Sequence, residues 1–269
     1  MIELHEFELQ ENTGHSSKGN QLKWKKENIW HKADYAGYEG LAEATASWLL
    51  THSSLSKHAF VTYQTEQIHY KSNTFLGACS QDFLKPGQQL ITLERLFSQH
   101  YGKSLYQNIF HIEDHKNRLR FLVDSAIQLT GLSDFGIYMN QMLTLDALIL
   151  NEDRHTHNIA VIMNPDGSFD YCPIFDNGAS LLSDTTLDYP LEQDTYTLIP
   201  TVKAKTFCLD FEEQLDLSEE LYGYHLSFQT DPEEMARHLH NETLYPQEII
   251  TRVEDILRYQ IRKYQYLFK

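Results

Sequence analysis

Between Leu150 and Gly178 the chain reads LNEDRHTHNIAVIMNPDGSFDYCPIFDNG, with Asp153 and Asn158 five positions apart and Asp176 at the far end. Residues 159–163 form an apolar strand, Pro165 and Gly167 supply a turn, and residues 168–175 return as a second strand. A hairpin brings its two ends together, so Asn158 and Asp176 become neighbours, with Asp153 in the loop just before them. Oxygen-bearing side chains gathered in this way suit phosphoryl transfer. Magnesium takes oxygen ligands, usually one or two from protein, with phosphate and water completing the shell. An Asn amide and one carboxylate meet that need without excess negative charge beside a triphosphate. Asp153, slightly removed, is placed to orient an attacking hydroxyl and take its proton. Many chains contain Asp–x4–Asn by chance; the junction with a hairpin and an Asp–x–Gly gives the spacing its weight.

The flanking elements must hold these groups. Residues 1–84 read as a small, mostly β lobe with one helix. IELHEFEL alternates at period two, and LKWKKENIWHKAD looks like a hairpin turning at Glu27-Asn28. GYEGLAEATASWLLTH places Leu41, Ala44, Trp48 and Leu49 at helical spacing, and HAFVTYQ, QIHYKS and FLGACS read as short strands. After KPGQQ the pattern turns helical through residues 85–269. Thr92 before Glu94-Arg95 caps a helix that stops at Gly102, and two longer amphipathic stretches follow. A terminal helix from Pro246 aligns Ile249, Val253, Leu257, Ile261, Tyr264 and Phe268. The expected fold is α+β, in two lobes with a ligand cleft between them.

Charge narrows the partners. Lys+Arg number 22 against 38 Asp+Glu, a formal net charge of −16, so a direct nucleic-acid binder is not expected. A local cluster of amides, lysine and metal can still hold a nucleotide. Cys79, Cys172 and Cys208 are widely spaced without a CxxC, which fits a reducing cytoplasm. The acidic, alternating N-terminus is unlike a signal peptide, and no apolar run is long enough to span a membrane.

EDRHTHNIAV and IFDNGASLL resemble the catalytic and metal-binding loops of the HipA-like serine/threonine kinases, relatives of the protein-kinase fold. WHKAD followed by EGLAEATASWLL is similar to that family's nucleotide-lysine strand and the helix bearing its Glu partner. FLGACSQDFLKPGQQLITLERLF is similar to its hinge and the helix behind. These motifs keep the kinase order across most of residues 10–182. The resemblance implies a two-lobed protein-kinase-like fold, ATP and Mg2+ as cofactors, and a protein substrate. It makes Lys32 the lysine of the α and β phosphates, partnered by Glu43 or by Glu39 on the same helix face, with Glu43 favoured. Asp153 becomes the catalytic base, and Asn158 and Asp176 the Mg2+ ligands. In NTGHSSKGNQ, Gly14, Ser16, Ser17, Lys18 and Gly19 would cover the phosphates. Ser16 and Ser17 are the candidates for the autophosphorylation that relatives perform in this loop. Some members are toxins of toxin–antitoxin pairs, so an antitoxin is an expected partner. Two features depart from the family. Its full-length members carry an extra N-terminal subdomain that this chain lacks, so the resemblance implies a compact or split version, with a separate chain as one expected source of the missing piece. The loop also has only Gly14 and Gly19, not GxGxxG.

Each group has a plainer alternative. Alone, Lys32 would be an ordinary solvated lysine, and Asp176-Asn177-Gly178 only a turn. His155 and His157, flanking the loop beside Asp153, could ligate zinc as in a hydrolase. The fourteen histidines are scattered, however, and His155 reads better as orienting the loop, with Arg154 meeting a phosphate or an acidic group. Asp146 either braces this loop or faces solvent; Lys203 and Lys205 either face a substrate or are solvated. DRHxxNI also resembles phosphoinositide-type lipid kinases, against which stands the acidic composition. A catalytically inactive kinase-like binding module is disfavoured by the joint presence of Lys32, Asp153, Asn158 and Asp176.

Overall fold

The computed structural model describes residues 1–10 and 21–269. Its first lobe is a five-stranded sheet of β1 (Ile2–Leu4), β2 (Lys23–Lys26), β3 (Ile29–Ala33), β4 (Tyr63–Tyr70) and β5 (Asn73–Gln81), with α1 (Glu39–Thr51) between β3 and β4. The strand order is β1-β4-β5-β3-β2, with β1 parallel to β4 and the other pairs antiparallel. The β2–β3 hairpin turns where the sequence places it: Lys26 faces Ile29, and Glu27 takes a φ of 55°. Trp24 packs with Leu4, Ala33, Ile68 and Tyr70 on one face of the sheet. Side chains alternate along a strand, so Lys32 is turned to the other face, toward the cleft. Helix α1 lies directly on the sheet where Gly40 meets Gly77. A Cβ on Gly40 would fall 2.4 Å from the Gly77 carbonyl carbon, so a side chain there would lift the helix.

The second lobe contains β6 (Gln89–Thr92), α2 (Leu93–Tyr101), α3 (Leu105–His111), α4 (His115–Thr130) and α5 (Phe135–Ile149). It continues through β7 (Ala160–Met163), β8 (Phe169–Tyr171), α6 (Thr195–Leu198), α7 (Phe211–Tyr222), α8 (Pro232–His240) and α9 (Gln247–Lys263). The Thr92 hydroxyl accepts the Arg95 N–H at 3.2 Å and caps α2, as its sequence indicates. Gly102 ends that helix in the left-handed conformation. Helix α9 delivers Val253, Leu257, Ile261 and Tyr264 to the core.

Three expectations are corrected. Only residues 2–4 of IELHEFEL are strand, because the Glu8 carboxylate turns back to accept the His5 N–H at 2.8 Å and closes a 3-10 turn. HAFVTYQ joins a sheet only at its end, where Tyr63 and Gln64 open β4; before that, its Val61 N–H donates to the Ile174 carbonyl at 2.9 Å and bridges to the second lobe's hairpin. After KPGQQ the first element is a strand, since β6 pairs with β7 in a three-stranded β6-β7-β8 sheet.

The packing does not divide where the chain does. Leu41, Ala46, Leu49 and Leu50 of α1 share one continuous core with the helices of the second lobe. The Tyr38 hydroxyl donates to the Leu181 carbonyl at 2.6 Å, and the Gln229 N–H donates to the His52 carbonyl at 2.6 Å. Both ends of α1 are thereby fastened to the second lobe. Among the described residues, no helix is long and apolar enough to cross a membrane.

Candidate active site

Lys32 leaves β3 toward the cleft, and its ammonium lies between two carboxylates, 2.8 Å from Glu43 Oε1 and 2.7 Å from Asp176 Oδ1. The second oxygen of Glu43 accepts the Asn177 N–H at 2.8 Å. One ionic cluster therefore joins β3, α1 and the Asp-Asn-Gly turn. Asp176 has a φ of 60°, a region that Asp tolerates better than most residues. Gly178 lets the turn approach α1, since a Cβ there would sit 3.3 Å from the Glu39 Cβ. The structure also resolves which glutamate serves Lys32. Glu39 accepts the N–H groups of Tyr35, Ala36 and Gly37 at 3.3, 2.7 and 3.2 Å, so its carboxylate is spent on the turn before α1.

Burial works against the charge on Lys32, but Asp176 and Glu43 outweigh it and hold the pKa well above the ordinary lysine value. Burial likewise opposes ionisation of Asp176; Lys32, then Lys23, reverse this and hold the carboxyl well below the usual range. Glu43 moves the other way, because burial raises its pKa more than Lys32 lowers it. The Asp176 side chain, 23% exposed against 3% for Glu43, is the open corner of the cluster.

Asp153 lies on the loop after α5, tied to Asn158. The Asn158 Nδ2 donates to the Asp153 carboxylate at 3.0 Å and to its backbone carbonyl at 2.8 Å. This spends the nitrogen side of the amide on Asp153 and leaves the Asn158 oxygen as a donor for a cation. Asp176 gives Lys32 only Oδ1. An amide oxygen and a carboxylate oxygen fit a hard ion such as Mg2+. His155 Nε2 is 3.5 Å from Asp153 Oδ1, and its Nδ1 accepts the His157 N–H at 3.3 Å. Burial lowers the His155 pKa, and Asp153 opposes this only in part; nearby His157 and Lys205 act in the same direction as burial. Lys205 is half-buried, while Lys203 is exposed.

Arg154 meets an acidic group. It is 1% exposed, with Nε 3.0 Å from Asp146 Oδ2 and one Nη donating to the Asn177 side-chain oxygen at 2.7 Å. Its other Nη donates to the carbonyls of both Asn158 and Phe175, at 3.2 and 3.0 Å. One nitrogen bound to both carbonyls draws the Asn158 and Asp176 segments together. Asp146 is therefore a buried brace. Asn151 extends the brace, donating to Asp146 at 2.9 Å and accepting the Asp153 N–H at 3.2 Å.

Asp153, Glu43 and Asp176 line one cleft, together with Lys23, which sequence reasoning passed over. Register was the available signal, because a hairpin turning at Glu27-Asn28 sets Lys23 opposite Lys32. Asn151 and Asn177 were also missed, and nothing in their types announced a bracing role. Gly14, Ser16, Ser17, Lys18 and Gly19 lie outside the described residues. Asp153, His155 and His157 do not converge as a metal trio; among the described residues, such a grouping occurs at His115 on α4, Cys208 in the loop before α7, and Glu213 on α7.

These features define a class. A β lobe with a Lys–Glu pair is set against a helical lobe carrying an Asp–x4–Asn loop and a hairpin-borne Asp, a two-lobed α+β arrangement. By sequence, the chain matches no family model and no curated protein. By structure, it is similar to the proinflammatory kinase CtkA of Helicobacter pylori, with a TM-score of 0.64 at 13% identity over 97% of this chain and 95% of that one. HipA of Shewanella oneidensis MR-1, solved with HipB and operator DNA, matches at a TM-score of 0.46 and 15% identity over 97% of this chain and 63% of that one. The likeness to CtkA establishes the fold.

Proposed function

We propose that the chain is an ATP- and Mg2+-dependent kinase that phosphorylates serine or threonine hydroxyls of a protein, with residues 1–84 and 85–269 closing over one nucleotide. The observation that carries this is Lys32 bonded at once to Glu43 and Asp176, with Asp153 tied to Asn158 on the adjoining loop. Lys32 would bind the α and β phosphates, steadied by Glu43. Asn158 and Asp176 would hold Mg2+, which when bound screens the phosphate charge. Asp153 orients the acceptor hydroxyl and takes its proton as the acceptor oxygen bonds to the γ-phosphorus. The bond to the β–γ bridging oxygen breaks, and ADP leaves. Phe83, Leu84, Leu90 and Ile162 cluster beside the junction of the lobes, an apolar surface suited to a purine. Phosphate covering by residues 14–19, autophosphorylation at Ser16 or Ser17, a toxin role and an antitoxin partner rest on sequence resemblance. Growth arrest upon expression tests the toxin role.

The decisive experiment measures γ-phosphate transfer from ATP to mixed protein acceptors and to phosphoinositide vesicles, with Mg2+ or with chelator. Transfer to protein that needs Mg2+ and falls about 10²- to 10⁴-fold in Asp153→Ala, with melting unchanged, is the expected result. Undiminished turnover in that variant removes Asp153 as the base, and transfer to lipid alone replaces the protein acceptor with a lipid.

A further inference from the structure

The geometry points to Lys23 as a second nucleotide-binding cation, reaching from β2 to the terminal phosphates of the triphosphate that Lys32 holds nearer its base. This rests on the kinase reading above. In the β2–β3 hairpin Lys23 stands directly opposite Lys32. Residues so paired share one face of the sheet, with Cβ atoms roughly 5 Å apart, and like charges in that position repel. The neighbouring pair, Trp24 and His31, is buried on the other face. Lys23 therefore faces the cleft, whose wall it shares with Glu43, Asp153 and Asp176.

The other lysines of β2 are neutralised by neighbours. Lys25 pairs with Asp82, and Lys26 lies 3.6 Å from Glu8. Among the described residues, no ion pair or hydrogen bond holds the Lys23 ammonium. Lys32 already serves two carboxylates, and Asp153 adds a third acid to the cleft. An arriving triphosphate thus meets an excess of negative charge, and Lys23 is the cation positioned to offset it. An anion spanning both lysines would also relieve their mutual repulsion.

The test is calorimetric titration of ATP, ADP, AMP and adenosine, each with Mg2+, into wild type, Lys23→Met and Lys23→Arg, alongside melting of the unliganded proteins. Lys23→Met is expected to weaken ATP about tenfold, to weaken ADP less, and to leave AMP and adenosine unchanged. Lys23→Arg keeps most of the ATP affinity. Unliganded Lys23→Met should melt close to the wild-type temperature, because losing the like-charge contact with Lys32 and losing the attraction of the cleft's carboxylates act in opposite directions. Equal ATP affinity in Lys23→Met and wild type overturns the inference while leaving the kinase reading standing. Equal losses for ATP, AMP and adenosine, or a lowered melting temperature, make Lys23 structural and overturn it too. A wild type that binds no adenine nucleotide overturns both.

Discussion

Two cations organise the site, and the fold treats them oppositely. Lys32 faces the cleft and bonds to two carboxylates, one of which, Asp176, is partly open to solvent. Arg154 is sealed behind the loop, with a single carboxylate, Asp146, and a ring of carbonyl and amide oxygens. The difference follows the chemistry of the two side chains. A lysine ammonium is a point charge that can exchange partners, so phosphates can replace a carboxylate around it. A guanidinium is a planar fork that fixes several acceptors at once. Asn177 joins the two systems, its N–H on Glu43 and its side-chain oxygen on Arg154. Exchangeable charge is thus mounted on fixed charge, and the loops that carry Asp153, Asn158 and Asp176 keep their spacing while the cleft refills.

That contrast can be broken. Arg154→Met strands Asp146 in the interior, and breaking a buried pair in this way costs about 3–5 kcal/mol. The denaturant midpoint should fall steeply, with activity lost alongside the fold. Lys32→Met should abolish transfer while costing clearly less stability, because Asp176 can turn to water and Glu43, whose pKa burial already raises, can take up a proton and keep its bond from the Asn177 N–H. Equal destabilisation by the two substitutions would end the distinction between exchangeable and fixed cations.

Glu43→Gln sharpens it. The amide can still accept the Asn177 N–H but no longer pins the ammonium. Turnover should drop roughly ten- to a hundredfold through misplacement of Lys32, with little change in melting. A variant that loses stability but keeps its turnover would make Glu43 part of the scaffold.

The gathering of the polar side chains was easier to read from the sequence than the scaffold beneath it. Asp153, Asn158 and Asp176 were legible because a hairpin converts a sequence gap into a spatial contact, and turn residues mark hairpins plainly. Lys32 was legible only in the company of those loops. The choice between Glu39 and Glu43 was hidden, because both point from one face of α1 and only the backbone amides of residues 35–37 separate them. The role of Arg154 was hidden for a related reason: its partners are mostly carbonyl oxygens, which every residue carries. The Val61–Ile174 bridge was invisible because HAFVTYQ has strand-like composition, and composition does not say which strand it meets. The fastening of both ends of α1 to the second lobe depends on the Tyr38 hydroxyl and the His52 carbonyl, and these leave no periodic signal.

A third ionic site, where β3 gives way to α1, tests the contrast from its weak end. The Asp34 carboxylate accepts the Gly40 N–H at 2.6 Å and the Tyr245 hydroxyl at 2.8 Å, with no cation paired to it among the described residues. Burial, followed by the charge of Glu39, pushes its pKa up to about 7, against the pull of those two donors. An unfolded aspartate titrates near about 4. Between these values the folded chain keeps a proton that the unfolded chain has released, so stability must fall as pH rises through that window. Asp34→Asn removes this contribution. Its melting temperature should decline more shallowly than wild type from pH 5.5 to 8 (~2.5 pH units), and the two curves should separate by a few degrees at the alkaline end. Parallel curves would mean that Asp34 stays ionised as Asp176 does. Two hydrogen-bond donors would then serve a buried carboxylate as well as a lysine, and the case for cations as the organisers of this fold would weaken accordingly.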